Sequence, residues 1–220
     1  TTPFPKPSVC ACCGSPVTQE DDEVALRCTG GAVCSAQAMA LMEHYVGRRM
    51  MELDGWGTKI LEQLQEHLQV ETIDQLYTVT KDQLLTLPRM GEKTADKLLA
   101  ARDVSKTRPL ARFLFALGIR HVGESTGKDL AKHFKTLDAF VNHAEAELTA
   151  VAEKKNATAS INGVGKATAQ SIVDYLRVPG NKKVLAALKA AGVSPTPEAV
   201  VQGHPSFMGK TFVVSGTLTS

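Results

Sequence analysis

The 220-residue sequence predicts a mainly α fold preceded by a small cysteine-rich module, and three observations carry that expectation. All five cysteines fall between Cys10 and Cys34. Apolar residues from about Met39 to Ala191 recur at helical spacing, and one glycine-centred pattern returns four times within that stretch. Composition agrees, because 43% hydrophobic and 22% charged residues are ordinary values for a folded chain. Aromatic residues make up only 5%, too few for a large sheet-dominated core or a platform of stacked bases. No run of apolar residues is long enough to span a bilayer, so no membrane partner is expected. The opening T-T-P-F-P-K-P has no apolar stretch of the signal-peptide kind, which points to a cytoplasmic protein.

The cysteines come first along the chain. They read C-A-C-C-G and, after thirteen residues, C-T-G-G-A-V-C. Cys10 and Cys13 form a C-x-x-C pair, and Cys28 and Cys34 a second pair whose glycines can make its turn. Four soft ligands suit tetrahedral zinc with Zn–S distances near ~2.3 Å. Cys12 adjoins a ligand and is expected to point away. Two disulfides with one free thiol are the competing reading, but no secretion signal accompanies them. Four cysteines leave no open coordination position, so the expected Zn²⁺ is structural.

Helical texture follows. Ala38–Val46 has helical spacing, and Ile60, Leu61, Leu64 and Leu68 form a stripe. Four segments then align on Gly57, Gly91, Gly123 and Gly165, at intervals of 34, 32 and 42 residues. The residue before each anchor is apolar (Trp56, Met90, Val122, Val164). Four residues after the anchor come Leu61, Ala95, Gly127 and Ala169, and seven after come Leu64, Leu98, Leu130 and Ile172. In this reading the anchor glycine permits a tight turn that other residues resist. Small residues at the fourth position let a second helix pack closely. Each turn would then offer unpaired N–H groups at a helix N-terminus, a phosphate site that reads no base sequence. This is the helix-hairpin-helix pattern. Copies one and four have both of its glycines, Gly55-Trp56-Gly57 and Gly163-Val164-Gly165, whereas copies two and three have Arg89 and His121 in place of the first. The candidate DNA-backbone residues are Gly55, Gly57 and Lys59; Arg89, Gly91 and Lys93; Arg120, His121 and Gly123; and Gly163, Gly165 and Lys166.

Charge points the same way. Lys81 to Lys135 holds twelve cations against six acids in a chain of net charge only +2, as expected for a polyanion partner. Ala152–Ser160 is small and polar and reads as a loop inserted before the last hairpin. Ser194–Pro205 holds three prolines and reads as a linker. Thr211–Val214 reads as one buried strand.

A C-x-x-C finger, four hairpins, a proline-rich linker and F-M-G-K-T-F-V-V-S-G-T-L, in that order, resemble the C-terminal portion of the bacterial NAD-dependent DNA ligases. The resemblance divides the chain into a four-cysteine zinc finger (1–38), a helix-hairpin-helix domain (39–193), a linker (194–205) and the start of a BRCT domain (206–220). It implies that Cys10, Cys13, Cys28 and Cys34 hold zinc. It also implies that the hairpins grip nicked duplex DNA across the minor groove, in replication and repair near the nucleoid. The family's nucleophilic lysine stands in K-x-D-G, and the nearest string here is Glu52-Leu53-Asp54-Gly55, which has none. Adenylation with NAD and Mg²⁺ is therefore expected of the family's adenylation and oligonucleotide-binding domains, not of this chain, which alone should be inactive. A non-enzymatic DNA-binding or repair scaffold is the alternative. A repair nuclease would need a carboxylate cluster, which does not stand out in the sequence.

Overall fold

The structure, a computed structural model, describes residues 6–14, 16–19, 24–28, 34–153 and 161–197. At the start, β1 (Val17–Thr18) pairs antiparallel with β2 (Arg27–Cys28), with Val17 opposite Cys28. The Gly14 N–H donates to the Cys10 carbonyl at 2.8 Å and closes the turn between the first two cysteines. Two strands of two residues bury too little to stand alone, so this module needs a staple.

Helices follow: α1 (Ser35–Val46), α2 (Thr58–Leu68), α3 (Lys81–Leu85), α4 (Glu92–Ser105), α5 (Leu110–Ala116), α6 (Glu124–Phe134), α7 (Leu137–Glu153), α8 (Lys166–Arg177) and α9 (Pro179–Ala190). A 3-10 turn, Gln75–Tyr77, joins α2 to α3. The helices pack in sequential pairs, α1/α2, α3/α4, α5/α6 and α7/α8, and α9 closes on α8. Each pair is one copy of the repeat. Trp56, Val122 and Val164 are buried before their anchors, and Met90 is half-buried. At the fourth position Leu61, Ala95, Gly127 and Ala169 are all buried, as are Leu64, Leu98, Leu130 and Ile172 at the seventh. Gly127 shows why the fourth position of the third copy is small. A Cβ there would lie 2.8 Å from the Ala111 carbonyl oxygen, so α5 and α6 touch backbone to backbone.

Polar ties join the pairs into one core. The Trp56 indole donates to the Leu98 carbonyl at 2.9 Å, pinning the first turn to α4. Ser105 donates to the Arg102 carbonyl at 2.6 Å, so its oxygen accepts from Tyr77 (2.9 Å), which in turn accepts from Tyr45 (3.1 Å). This one-way relay satisfies three buried hydroxyls, since each has a single proton to give. Burial and the neighbouring Tyr77 push the Tyr45 phenol well above its ordinary pKa.

Three expectations need adjustment. Helix α1 starts at Ser35, directly after Cys34, so one helix runs across the expected finger boundary at residue 38. Helix α7 continues to Glu153, and Ala152 is buried on it rather than looped, because Leu148, Val151 and Ala152 carry the apolar face one turn further. The rest of that insertion lies outside the described residues. The first residues of the expected linker are docked. Ser194 N–H donates to Lys106 (2.9 Å), Thr196 N–H to Arg108 (3.2 Å), and Leu110 N–H to Thr196 (2.8 Å). Residues 198–220, including the expected Thr211–Val214 strand and BRCT start, lie outside the described residues.

Candidate metal centre and nucleic-acid interface

The turn at Gly14, the β1–β2 pair and the start of α1 bring four cysteines to one point. The Sγ atoms of Cys10, Cys13, Cys28 and Cys34 all lie within 4.8 Å of one another. Cys13 and Cys28 are 3.4 Å apart and Cys10 and Cys34 3.9 Å, far beyond a disulfide bond. Tetrahedral Zn–S bonds of ~2.3 Å imply sulfur–sulfur edges of roughly 3.8 Å, so the donor set and its size fit zinc. Cys12 stands outside, its sulfur 3.1 Å from the Ser35 hydroxyl. The Gln37 backbone N–H bonded to Cys34 pulls that thiol's pKa down. Burial and the thiols of Cys13, Cys12 and Cys10 outweigh it and push the pKa up to about 12. Neutral thiols at this spacing resist ionising together, and a divalent cation reverses that preference. The Gln37 amide also donates to the Cys28 carbonyl at 2.9 Å, which holds the second pair against α1.

The four hairpin turns share one backbone geometry, and it corrects the expected role of the anchor. The anchors Gly57, Gly91, Gly123 and Gly165 have φ of −77°, −104°, −86° and −89°, open to any residue. The left-handed residue is instead two positions earlier. Gly55 (φ 85°), Arg89 (60°), His121 (63°) and Gly163 (72°) all adopt it. Copies two and three therefore make the same turn without the first glycine, and their side chains carry the strain. What the anchor supplies is an empty space. A Cβ at any of the four meets nothing within 4 Å. Each anchor is the N-cap of α2, α4, α6 or α8, and none of these helices has a side-chain cap. Helices α1, α5 and α9 also lack a side-chain cap, but Cys34, Pro109 and Val178 stand before them, whereas Thr80 and Gln83 form a full capping box on α3. Four helix ends are thus left with bare N–H donors, a positive dipole end and no side chain in front.

Around these ends Lys59, Arg89, Lys93, His121 and Lys166 are exposed, and Arg120 is half-buried. The basic segment, however, is not one open patch. Lys81, Arg102, Lys106, Arg108, Arg112 and Lys128 are held in ion pairs with Asp96, Asp103, Glu52 and Glu124. Glu52, also left-handed at φ 52°, accepts from Arg108 (2.9 Å) and Arg112 (3.2 Å) and clamps the loop before α2 onto α5. Sequence reasoning missed Arg49, which reaches Glu124 at 2.8 Å across 75 residues. Its only local signal was the Arg48-Arg49 pair after α1.

Replacing His121 by glycine is expected to stabilise the fold by up to about 1 kcal/mol. Relief of the left-handed strain exceeds the entropy glycine loses on folding. Urea unfolding measures it, and an unchanged midpoint would show that the side chain compensates locally.

Together the hairpins and the cysteine cluster define a helix-hairpin-helix protein carrying a four-thiol centre that could hold a metal. The family model for the SAM-like helix-hairpin-helix tandem matches residues 47–102, the first two turns. The model for the helix-hairpin-helix motif matches residues 112–185, the last two. Within that class the chain is similar over nearly its whole length to DNA ligases. It is 42% identical to the DNA ligase of Anoxybacillus flavithermus over 99% of its own length and 31% of that protein's. With the DNA ligase of Geobacter sulfurreducens the values are 43%, 99% and 31%, and with that of Syntrophotalea carbinolica 41%, 98% and 30%. The chain spans about a third of the length of these relatives.

Proposed function

We propose that this chain is the duplex-gripping C-terminal region of an NAD-dependent DNA ligase that seals nicks in replication and repair, beside the nucleoid. The observation that carries this reading is the set of four uncapped helix N-termini, each fronted by a glycine with open space before it. A phosphodiester can approach bare N–H donors there without a side chain in the way. Gly55, Gly57, Gly91, Gly123, Gly163 and Gly165 shape the turns, while Lys59, Arg89, Lys93, Arg120 and Lys166 add charge and His121 a hydrogen-bonding ring beside them. Zinc on Cys10, Cys13, Cys28 and Cys34 would supply four metal–sulfur bonds that hold the finger on the start of α1. Adenylation with NAD and Mg²⁺ falls to adenylation and oligonucleotide-binding domains outside these residues, because no K-x-D-G occurs in this sequence. The domain division is a cysteine finger and a hairpin domain that meet within α1, near residue 38, followed by a linker and a BRCT start. No described helix is long and apolar enough to cross a membrane.

Titration of a labelled nicked duplex at several salt concentrations tests the reading. Contacts to roughly four to eight phosphates predict a slope of log K against log salt of about −4 to −7, alike for unrelated sequences. Gly91→Val should weaken every duplex alike. Its φ tolerates valine, so the side chain acts by filling the space before α4 rather than by distorting the turn. A flat salt response, or full affinity in Gly91→Val, would sink the reading.

A further inference from the structure

Arg48, Arg49, Arg112 and Lys128 face one cleft of about 330 Å³, and Glu124 is the acid among its described lining residues. These cations come from three separate places, the end of α1, helix α5 and helix α6. Arg112 is committed to the scaffold: it donates to the Met50 carbonyl at 2.6 Å, to the Arg48 carbonyl, and to Glu52. That grip sets the loop carrying Arg49 against α5. The other two cations share one carboxylate, with Arg49 on Glu124 Oε2 at 2.8 Å and Lys128 on Oε1 at 3.0 Å. The Lys128 ammonium, followed by the charge of Arg49, holds this carboxyl below its ordinary pKa, so it stays ionised.

Two anionic oxygens, each held by a different cation, match the two non-bridging oxygens of a phosphodiester. The arrangement is open to exchange, because Arg49 is 78% exposed, Lys128 54% and Glu124 40%. The cleft also carries more positive than negative charge, so one carboxylate does not neutralise it. Glu124 directly follows the anchor Gly123, which places the cleft beside the third turn.

We propose that this cleft is a fifth backbone-phosphate site, outside the hairpin turns, where Glu124 occupies the phosphate position in the free protein and releases Arg49 and Lys128 to the duplex. The proposal rests on the duplex-binding reading above. Its physical consequence is a built-in cost. Each binding event must break both ion pairs of Glu124 and leave its carboxylate beside the bound phosphate, which offsets part of the gain from the new contact.

Anisotropy titrations of the zinc-loaded chain with a labelled duplex, across salt concentrations, separate the possibilities. Glu124→Gln should tighten binding several-fold at low salt, and the gain should shrink as added salt screens the parent's freed carboxylate. Arg49→Ala should weaken binding, and in the double variant most of the Glu124→Gln gain should vanish. An equal gain with and without Arg49 would mean that Glu124 merely repels DNA at the third turn, and would overturn the cleft. Unchanged or weaker binding by Glu124→Gln would overturn it too. Thermal melts should match the parent for these exposed pairs. Should Glu124→Gln fail to fold, Lys128→Ala serves instead and must weaken binding. Failure of the parent chain to bind any duplex would reject the duplex-binding reading itself, whereas parent binding with unaltered variants rejects the cleft alone.

Discussion

Cys13→Ser is expected to abolish metal binding, while Cys12→Ser leaves one zinc per chain. The two residues are neighbours, yet only Cys13 has its sulfur in the cluster, 3.4 Å from Cys28, whereas Cys12 turns to Ser35. The effect should be the largest of any single change in the protein. Metal binding by such a site is folding energy, on the order of 10 kcal/mol or more at neutral pH. The two short strands have little else to hold them. Elemental analysis after gel filtration gives the stoichiometry, and circular dichroism during chelation gives the extent of unfolding. Most of the helical signal should survive chelation, because helices α2 to α9 take no ligand from the cluster. Loss should be confined to the strands and the first turn of α1, where Cys34 is the N-cap. Binding should also weaken as pH falls, since the thiols must release protons to the solvent when the metal enters. An empty site in Cys12→Ser, or collapse of the helical signal on chelation, would contradict this assignment.

Trp56→Ala should cost about 3–5 kcal/mol and lower Tm by roughly 6–20 °C. The indole is fully buried at the first turn, and its N–H satisfies the Leu98 carbonyl on α4. Truncation opens a cavity between the first two hairpins and removes the indole's tie to α4. Trp56 is the chain's only tryptophan, so the parent's emission should be that of a buried indole and should shift to the red in one transition on unfolding. Trp56→Phe keeps most of the volume but loses the hydrogen bond, and its melt should fall between the two. A melt of Trp56→Ala within about a degree or two of the parent would show that the first turn is not part of the common core.

The strained turns show where pattern reading stops. The sequence marks four copies by their anchor glycines, yet the anchors adopt ordinary backbone angles. The residue that must be left-handed is Gly55, Arg89, His121 or Gly163, and only two of these four advertise it. Arg89 and His121 look like ordinary polar side chains in the sequence because the cost of their conformation is met by packing elsewhere in the hairpin.

By itself the sequence determined what depends on short spacing. A C-x-x-C and a second cysteine pair mark a four-thiol centre, and apolar residues one, four and seven positions from an anchor mark a hairpin core. Both follow from local geometry, since a turn or a helix places residues a few positions apart on one side. Tertiary structure decided which charges remain available. Glu52 takes Arg108 and Arg112, Glu124 takes Arg49 and Lys128, and Thr196 docks beside Leu110. Apart from the Glu124–Lys128 pair within α6, these contacts join residues dozens of positions apart. No repeat period or propensity records them. They exist because helix pairs stack on a shared apolar core, and the facing polar side chains then find partners the chain order never placed nearby.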